Sequence, residues 1–308
     1  MNRITYHKAI KASSNYEEFL ESFSFQKTND LNQLLFQLAK ELIYDHDKGK
    51  IYENILYLQK QFNEISFVNE IELPPYDEFF KNFYLRNLPA KIYNLVTTWP
   101  AFTKWTPDYF LNNYGEASIS YMNEREEDKS YDYNRRSSTI TIKEFIKKMS
   151  SVKDSNDFYL TGANPTLRNT QLKDLLKDIL LPKDLFHENL NEMNVGIWIG
   201  PKGTITNFHI DKVNNILCQI YGDKEITLVA PYDTPFMYPH DRYFSKIGPL
   251  GGESDDFPDF KLAKKITISL KAGEALFIPV GWWHKVTSLS NSISISVSAF
   301  RVKNLFEI

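Results

Sequence analysis

Two short segments far apart in the chain constrain its folding more than any other feature. Residues 203–211 read G-T-I-T-N-F-H-I-D, and residues 279–284 read P-V-G-W-W-H. Alternate residues of a strand point the same way, so His209 and Asp211 can face one ion while Phe208 and Ile210 face the other layer. One extended strand cannot surround an ion, so a third ligand has to come from elsewhere. His284 lies 284 − 209 = 75 residues further on, and only a closed or two-sheet β core brings such a pair together. Two imidazoles and one carboxylate are the set that holds non-haem Fe(II) on one face and leaves the other face open.

A bland alternative exists for each piece. An isolated His-x-Asp is often a hydrogen-bonded pair on a strand surface, and a His after two Trp can cap an aromatic cluster. The chain has six histidines, His7, His46, His187, His209, His240 and His284. Two of them fall inside Gly- and Pro-punctuated β segments among apolar residues, where an unpaired polar group is costly. Metal ligation answers that cost.

The rest of the chain agrees with a β core carrying helical additions. Leu31, Leu34, Leu35, Leu38, Ala39 and Leu42 mark one helical stripe, and Ile51, Ile55, Leu56, Leu58 and Phe62 a second. Residues 1–70 therefore read as a helical region packed on the core, and 71–308 as the β domain. Within the latter, helices are expected at 76–82, 105–113 and 142–149, the last on the surface. Strands are expected at 90–96, 118–122 and 158–160. In the C-terminal half, strands are expected at 196–199, 204–211, 215–221, 225–229, 267–270, 275–278 and 292–300, separated by turn residues such as Gly222 and Asp223. Many short strands favour a sandwich or barrel over an α/β sheet. Residues 231–263 have no period and read as a long ordered loop rich in aromatics.

Composition excludes several classes. With 36 basic and 39 acidic residues, a formal charge of −3, the surface has no bias toward polyanions, so nucleic acid is a poor default partner. The single Cys218 rules out a disulfide framework and fits a reducing compartment. Residues 1–14 lack an apolar core of signal-peptide length, and no run approaches the roughly 20 apolar residues of a membrane span. The expectation is a cytoplasmic protein with no membrane partner.

Three runs carry a family resemblance: W-I-G-P-K-G-T-I-T-N-F-H-I-D at 198–211, Q-I-Y-G-D-K-E-I-T-L-V-A-P at 219–231, and G-E-A-L-F-I-P-V-G-W-W-H-K-V at 273–286. Together they resemble the cupin-like JmjC hydroxylases, nearest in flavour to the asparaginyl hydroxylase of hypoxia-inducible factor and its bacterial relatives. R-N-L-P-A-K-I-Y and W-P-A-F-T-K-W extend the likeness more weakly over 80–165, and the first 70 residues are not covered. The resemblance implies a double-stranded β-helix of cupin or jelly-roll type, with Fe(II), 2-oxoglutarate and O₂ as cofactor and cosubstrates. It implies His209, Asp211 and His284 as iron ligands and Lys224 as the cation for the distal carboxylate of 2-oxoglutarate. Thr206, Tyr159 and Asn215 are the expected further cosubstrate contacts. Ser298 stands where some members have a late-strand Asn.

These supporting residues have ordinary readings as well. Lys224 could be a hairpin lysine in solvent and Tyr159 a core aromatic. Ser294, Ser296 and Ser298, alternating with Ile293, Ile295 and Val297, would normally form a solvated sheet face. The resemblance implies hydroxylation of a protein or peptide side chain with release of succinate and CO₂. An oxygenase for a small molecule or modified nucleoside, an N-methyl demethylase and a non-catalytic metal-binding protein are the alternatives. An extended peptide would lie between the aromatic loop and residues 121–136, with Tyr131, Arg135, Tyr232, Tyr238 and Arg242 as candidate contacts. Some members dimerise through helices after the last strand. This chain runs only a few residues past Phe300, so the expectation is a monomer or a homodimer through another surface.

Overall fold

The Gly- and Pro-punctuated apolar runs fold into two six-stranded sheets, in a computed structural model that describes residues 60, 65–126, 137–162, 164, 166–168, 170–240, 243–248, 256–302 and 304. The chain divides into two compact units, Met1–Phe62 and Asn63–Ile308. The helical stripes expected between 30 and 62 lie outside the described residues, Lys60 excepted. The second unit opens with β1 (Asn69–Ile71), which pairs in parallel with β2 (Ala90–Ile92). Between them lies α1 (Tyr76–Phe79), which runs into a π-turn at Phe80–Tyr84. Next come α2 (Pro100–Lys104) and α3 (Pro107–Tyr114), then the hairpin of β3 (Ser118–Met122) and β4 (Ser137–Thr141), which leads into α4 (Ile142–Ser151).

The remaining strands build the barrel. They are β5 (Val195–Gly200), β6 (Ile205–His209), β7 (Asn215–Tyr221), β8 (Lys224–Val229), β9 (Pro239–His240) and β10 (Phe244–Ser245). After them follow β11 (Lys265–Leu270), β12 (Ala275–Ile278), β13 (Trp283–Ser288) and β14 (Ser292–Val297). One sheet runs β1-β2-β12-β7-β14-β5 and the other β11-β8-β13-β6-β10-β9. Consecutive strands thus alternate between sheets in much of the core, which is the winding of a double-stranded β-helix. One irregularity matters below: His284 pairs with His209 and Val286 with Thr206, so two residues of β6 oppose one of β13 in a β-bulge.

Several expectations need correction. The helix expected at 105–113 starts two residues later, because Pro107 suits the first turn and the Thr106 hydroxyl accepts from the Tyr109 amide at 3.1 Å. Trp105 instead enters the core and donates its indole N–H to Asp178 at 3.0 Å. The strand expected to reach 96 ends at Ile92, and a 3₁₀ turn occupies Val96–Thr98. Residues 158–160 form isolated bridges, Met122 to Tyr159 and Leu160 to Ile199. The helix α4 does lie on the surface, with Lys143, Glu144 and Lys147 exposed, while Ile142, Phe145, Ile146 and Met149 are buried on one stripe and the Phe145 ring is edge-on to Tyr121 and Phe158. Its outer end is closed by a reciprocal Thr141–Glu144 capping box.

Residues 231–263 are also more regular than their composition suggests. They hold 3₁₀ turns at Pro231–Phe236 and Pro258–Leu262, while β9 and β10 extend one sheet. The strand Trp283–Ser288, which carries His284, was absent from the expected set because its start, G-W-W-H, does not alternate.

The turn between β7 and β8 has a strict backbone requirement. Gly222 has φ +72°, and a Cβ there would meet the Asn291 carbonyl oxygen at 2.1 Å. Gly222→Ala is expected to destabilise the fold by about 1–3 kcal/mol from backbone strain alone, with the collision added. Urea titration of both proteins checks this, and an unchanged midpoint would contradict it.

Candidate metal centre

His209 closes β6 and His284 sits directly opposite it in β13, with ring centroids 4.0 Å apart. Each imidazole is held by its Nδ1 against a carbonyl two residues earlier, His209 to Asn207 at 2.8 Å and His284 to Trp282 at 2.9 Å. A carbonyl can only accept, so Nδ1 carries the proton and Nε2 presents its lone pair. Both Nε2 atoms face one carboxylate, at 3.9 Å to Asp211 Oδ1 and 3.8 Å to Asp211 Oδ2. All three ligand atoms lie within 4.8 Å of one another. Burial, reinforced by His209 beside it and partly opposed by Asp211, pushes the His284 pKa down to about 4. The ring is therefore neutral near pH 7, the form that ligates a metal.

Asp211 does not reach this position as part of a strand. β6 ends at His209, and Asp211 projects from the loop that follows. That loop is tied by the Ile210 amide to the Tyr243 carbonyl at 2.8 Å. The Asn215 side-chain Nδ2 donates to Asp211 Oδ2 at 3.3 Å.

A cavity of about 350 Å³ opens beside these ligands. Thr206, His209, Asp211, Asn215, Lys224, Tyr159, His284 and Ser298 all line it. At its inner end lies Lys224, 1 % exposed. Its Nζ donates to the Tyr159 hydroxyl at 3.1 Å and the Ser294 hydroxyl at 2.7 Å. Among the described residues no carboxylate pairs with it. The Thr206 hydroxyl, also on the lining, has no protein partner among the described residues. A buried ammonium facing only neutral hydroxyls is costly, and an anionic ligand in the cavity would offset that cost.

Tyr159 is fixed from two further sides. Gly200 packs so closely that a Cβ there would meet the Tyr159 ring at 2.5 Å. Arg125 lies 5.3 Å over the ring and donates to the Ile205 carbonyl at 2.6 Å and to Asn156 Oδ1 at 3.0 Å.

Sequence reasoning placed other residues less well. Ser292 and Ser294 are fully buried, so this face of β14 is turned inward and is not solvated. Ser294 was visible only as one of two readings of a Ser/Ile alternation. Arg125, Trp198, Glu192 and Phe244 also line the cavity and were not anticipated. Phe244 pairs with His209 and lies face to face with it at 6.1 Å, although β10 is too short to leave a periodic signal. Tyr232 is buried, its hydroxyl accepting from the Ile65 amide at 2.9 Å, and it is not part of the lining. Tyr238 packs on Phe257 and accepts from the Asp259 amide, again outside the lining. Tyr131, Arg135 and Arg242 lie outside the described residues.

The profile of the cupin-like domain matches residues 76–300. The chain belongs to the cupin-like domain family. Among curated relatives of this cupin-like chain, JmjC domain-containing protein D of Dictyostelium discoideum is 34 % identical over 270 residues, 79 % of this chain and 58 % of that protein. Lysine-specific demethylase 8 of Danio rerio is 31 % identical over 245 residues, 74 % of this chain and 57 % of the relative. JmjC domain-containing protein A of Dictyostelium discoideum is 32 % identical over 213 residues, 64 % of this chain and 82 % of the relative. The chain spans a little over half the length of the first two. The cupin-like, JmjC-related character inferred from the three runs therefore holds, as does the double-stranded β-helix. Among the described residues no helix is long and apolar enough to cross a membrane.

Proposed function

We propose that this domain is an Fe(II)- and 2-oxoglutarate-dependent oxygenase that hydroxylates a protein or peptide side chain. The observation that supports this best is the pairing, in one cavity, of the His209–Asp211–His284 set with a buried lysine that has no carboxylate partner among the described residues. The donor set fits iron, since two neutral imidazoles and one carboxylate leave open positions. Lys224, Tyr159, Thr206 and Ser294 fit the distal carboxylate of the oxo acid. Bound iron with 2-oxoglutarate and O₂ would supply the oxidising power for C–H hydroxylation, with succinate and CO₂ as coproducts.

The residues of the chain then contribute placement. The Asn207 and Trp282 carbonyls orient the two imidazoles, and Asn215 orients Asp211. Ile278, Leu217 and Val286 give the cavity an apolar wall, and Trp198 and Phe244 narrow it against water. Relatives named as lysine-specific demethylases favour a protein side chain as substrate.

One observation favours demethylation of an N-methyl cation as a second reading. Glu192 lines the cavity with no hydrogen-bond or ion-pair partner among the described residues, a complement for an ammonium group.

The test incubates the full chain anaerobically loaded with Fe(II), then 2-oxoglutarate, ascorbate, air and a peptide digest. Succinate should rise in step with a +16 Da peptide product, or with formaldehyde if demethylation is the reaction. Both signals should disappear in His209→Ala. Turnover that persists in that variant, or succinate that tracks only an oxidised metabolite or nucleoside, would refute a protein-directed oxygenase.

A further inference from the structure

Asp211 is carried by irregular backbone and His284 begins its strand just after a tight turn, and the loop and the turn are tied to a single asparagine pair. Asp211 lies beyond the end of β6, in the loop that reaches β7 at Asn215. His284 follows the tight turn 279–282, in which Gly281 has φ +80° and the Trp282 amide returns to the Pro279 carbonyl at 3.2 Å. Neither the loop nor the turn has a strand ladder of its own, although His284 itself pairs with His209 and Leu228.

Asn214, 2 % exposed, joins them. Its Oδ1 accepts from the Val280 amide at 3.0 Å, which fixes the turn leading to His284. Its other three polar groups all go to Asn304: the Asn214 amide and Nδ2 donate to Asn304 Oδ1 at 2.9 and 3.0 Å, and the Asn214 carbonyl accepts from Asn304 Nδ2 at 2.8 Å. Asn304 Nδ2 also donates to the Ser298 carbonyl at 2.9 Å, and Asn304 Oδ1 accepts from the Tyr84 hydroxyl at 3.1 Å. Five hydrogen bonds therefore meet on one side chain beyond the last strand.

We infer that Asn304 is a positioning residue for the metal centre, acting through Asn214 to hold the Asp211 loop and the His284 turn in one arrangement before metal arrives. The inference rests on the reading of His209, Asp211 and His284 as metal ligands. The geometry is specific to an amide. The carbonyl end of Asn304 takes three donors, while its NH₂ end serves two carbonyls that no carboxylate can satisfy. Its link to chemistry is short: Asn215, next to Asn214, donates to Asp211 Oδ2, and Ser298 lines the cavity. Loss of the clasp leaves both sheets intact, frees the Asp211 loop and loosens the turn that leads into His284, so the ordering cost falls on metal binding. Losing an outer partner of a metal ligand typically weakens affinity by about 10–100-fold.

The experiment titrates Co(II) into the apo full chain and into Asn304→Ala, Asn304→Asp and Thr141→Ala, following the visible Co(II) band and, separately, apo thermal unfolding. Thr141→Ala removes the cap of α4, far along the chain from any ligand, and serves as a stability control. Asn304→Ala is expected to raise the Co(II) Kd at least tenfold. Asn304→Asp, which keeps three contacts and sets a carboxylate against two carbonyls, is expected to lie between it and the parent. Thr141→Ala should lose stability with an unchanged Kd. A folded Asn304→Ala protein with Kd within twofold of the parent overturns the inference, as does an equal loss of affinity in Thr141→Ala. If neither Asn304 variant folds, the clasp serves the fold and the inference also fails. A parent chain that binds no Co(II) refutes instead the metal reading on which the inference depends.

Discussion

Asp211→Ala removes tight divalent-metal binding and leaves the apo chain folded. The carboxylate is the one anionic ligand of the set, and both imidazole Nε2 atoms face it, at 3.9 and 3.8 Å. Without it the site offers two neutral nitrogens, and affinity for Fe(II) or Co(II) should fall by more than the roughly 100-fold that marks the upper end for losing an outer partner. Apo stability should change little. Asp211 is in a loop, and among the described residues its polar contacts are the two histidines and the Asn215 side-chain Nδ2. Metal that binds only the native state stabilises it by about 2.7 kcal/mol at a hundredfold excess over Kd. The parent should therefore melt at a higher temperature with Co(II) than without, whereas Asp211→Ala should melt at one temperature in both conditions. A variant that kept the metal-induced shift would place the ion elsewhere.

Lys224→Met should abolish recognition of the distal carboxylate while keeping the packing. Methionine fills much of the same volume at a fully buried position but cannot donate to the Tyr159 and Ser294 hydroxyls or to an incoming anion. Truncating one partner of a buried, hydrogen-bonded charge pair costs about 2–5 kcal/mol. The KM for 2-oxoglutarate should therefore rise by roughly 30-fold to several thousandfold. Co(II) affinity should be unchanged, since Lys224 is not a ligand. A 2-oxo acid lacking the distal carboxylate makes the decisive comparison: the parent should strongly prefer 2-oxoglutarate, and the variant should lose that preference. A variant with the parent's selectivity would remove Lys224 from cosubstrate recognition.

The fold class, and the meeting of His209, Asp211 and His284 at one point, were legible in the sequence for a definite reason. His209, Asp211 and His284 are residue types of high chemical content, set in β runs where an unpaired polar group is expensive, and their separation demanded a wound β core. Boundaries followed less well. Pro107 moved the start of α3, and the strand holding His284 was hidden by two consecutive tryptophans that face different ways. β9 and β10 are two residues long each, so no periodicity could mark them. Ser294 was ambiguous because alternation does not say which side of a sheet is wet. Asn214 and Asn304 were invisible, since their relation consists of hydrogen bonds between residues 90 positions apart.

The bulge in β6 has a consequence for parity. Thr206 and His209 are three positions apart, an odd spacing that in a regular strand sends two side chains to opposite sides. Both nevertheless face the cavity, because Asn207 and Phe208 together oppose Lys285 alone and the count is shifted by one. The proposed metal wall and the proposed carboxylate-binding wall thus share a single strand through one supernumerary residue. The segment between Thr206 and His209 can exchange side chains, but its length is fixed. Shortening it by one position would turn either the hydroxyl or the imidazole out of the barrel, together with the side chains that flank it in β6, because a one-residue shift exchanges the two faces of a strand.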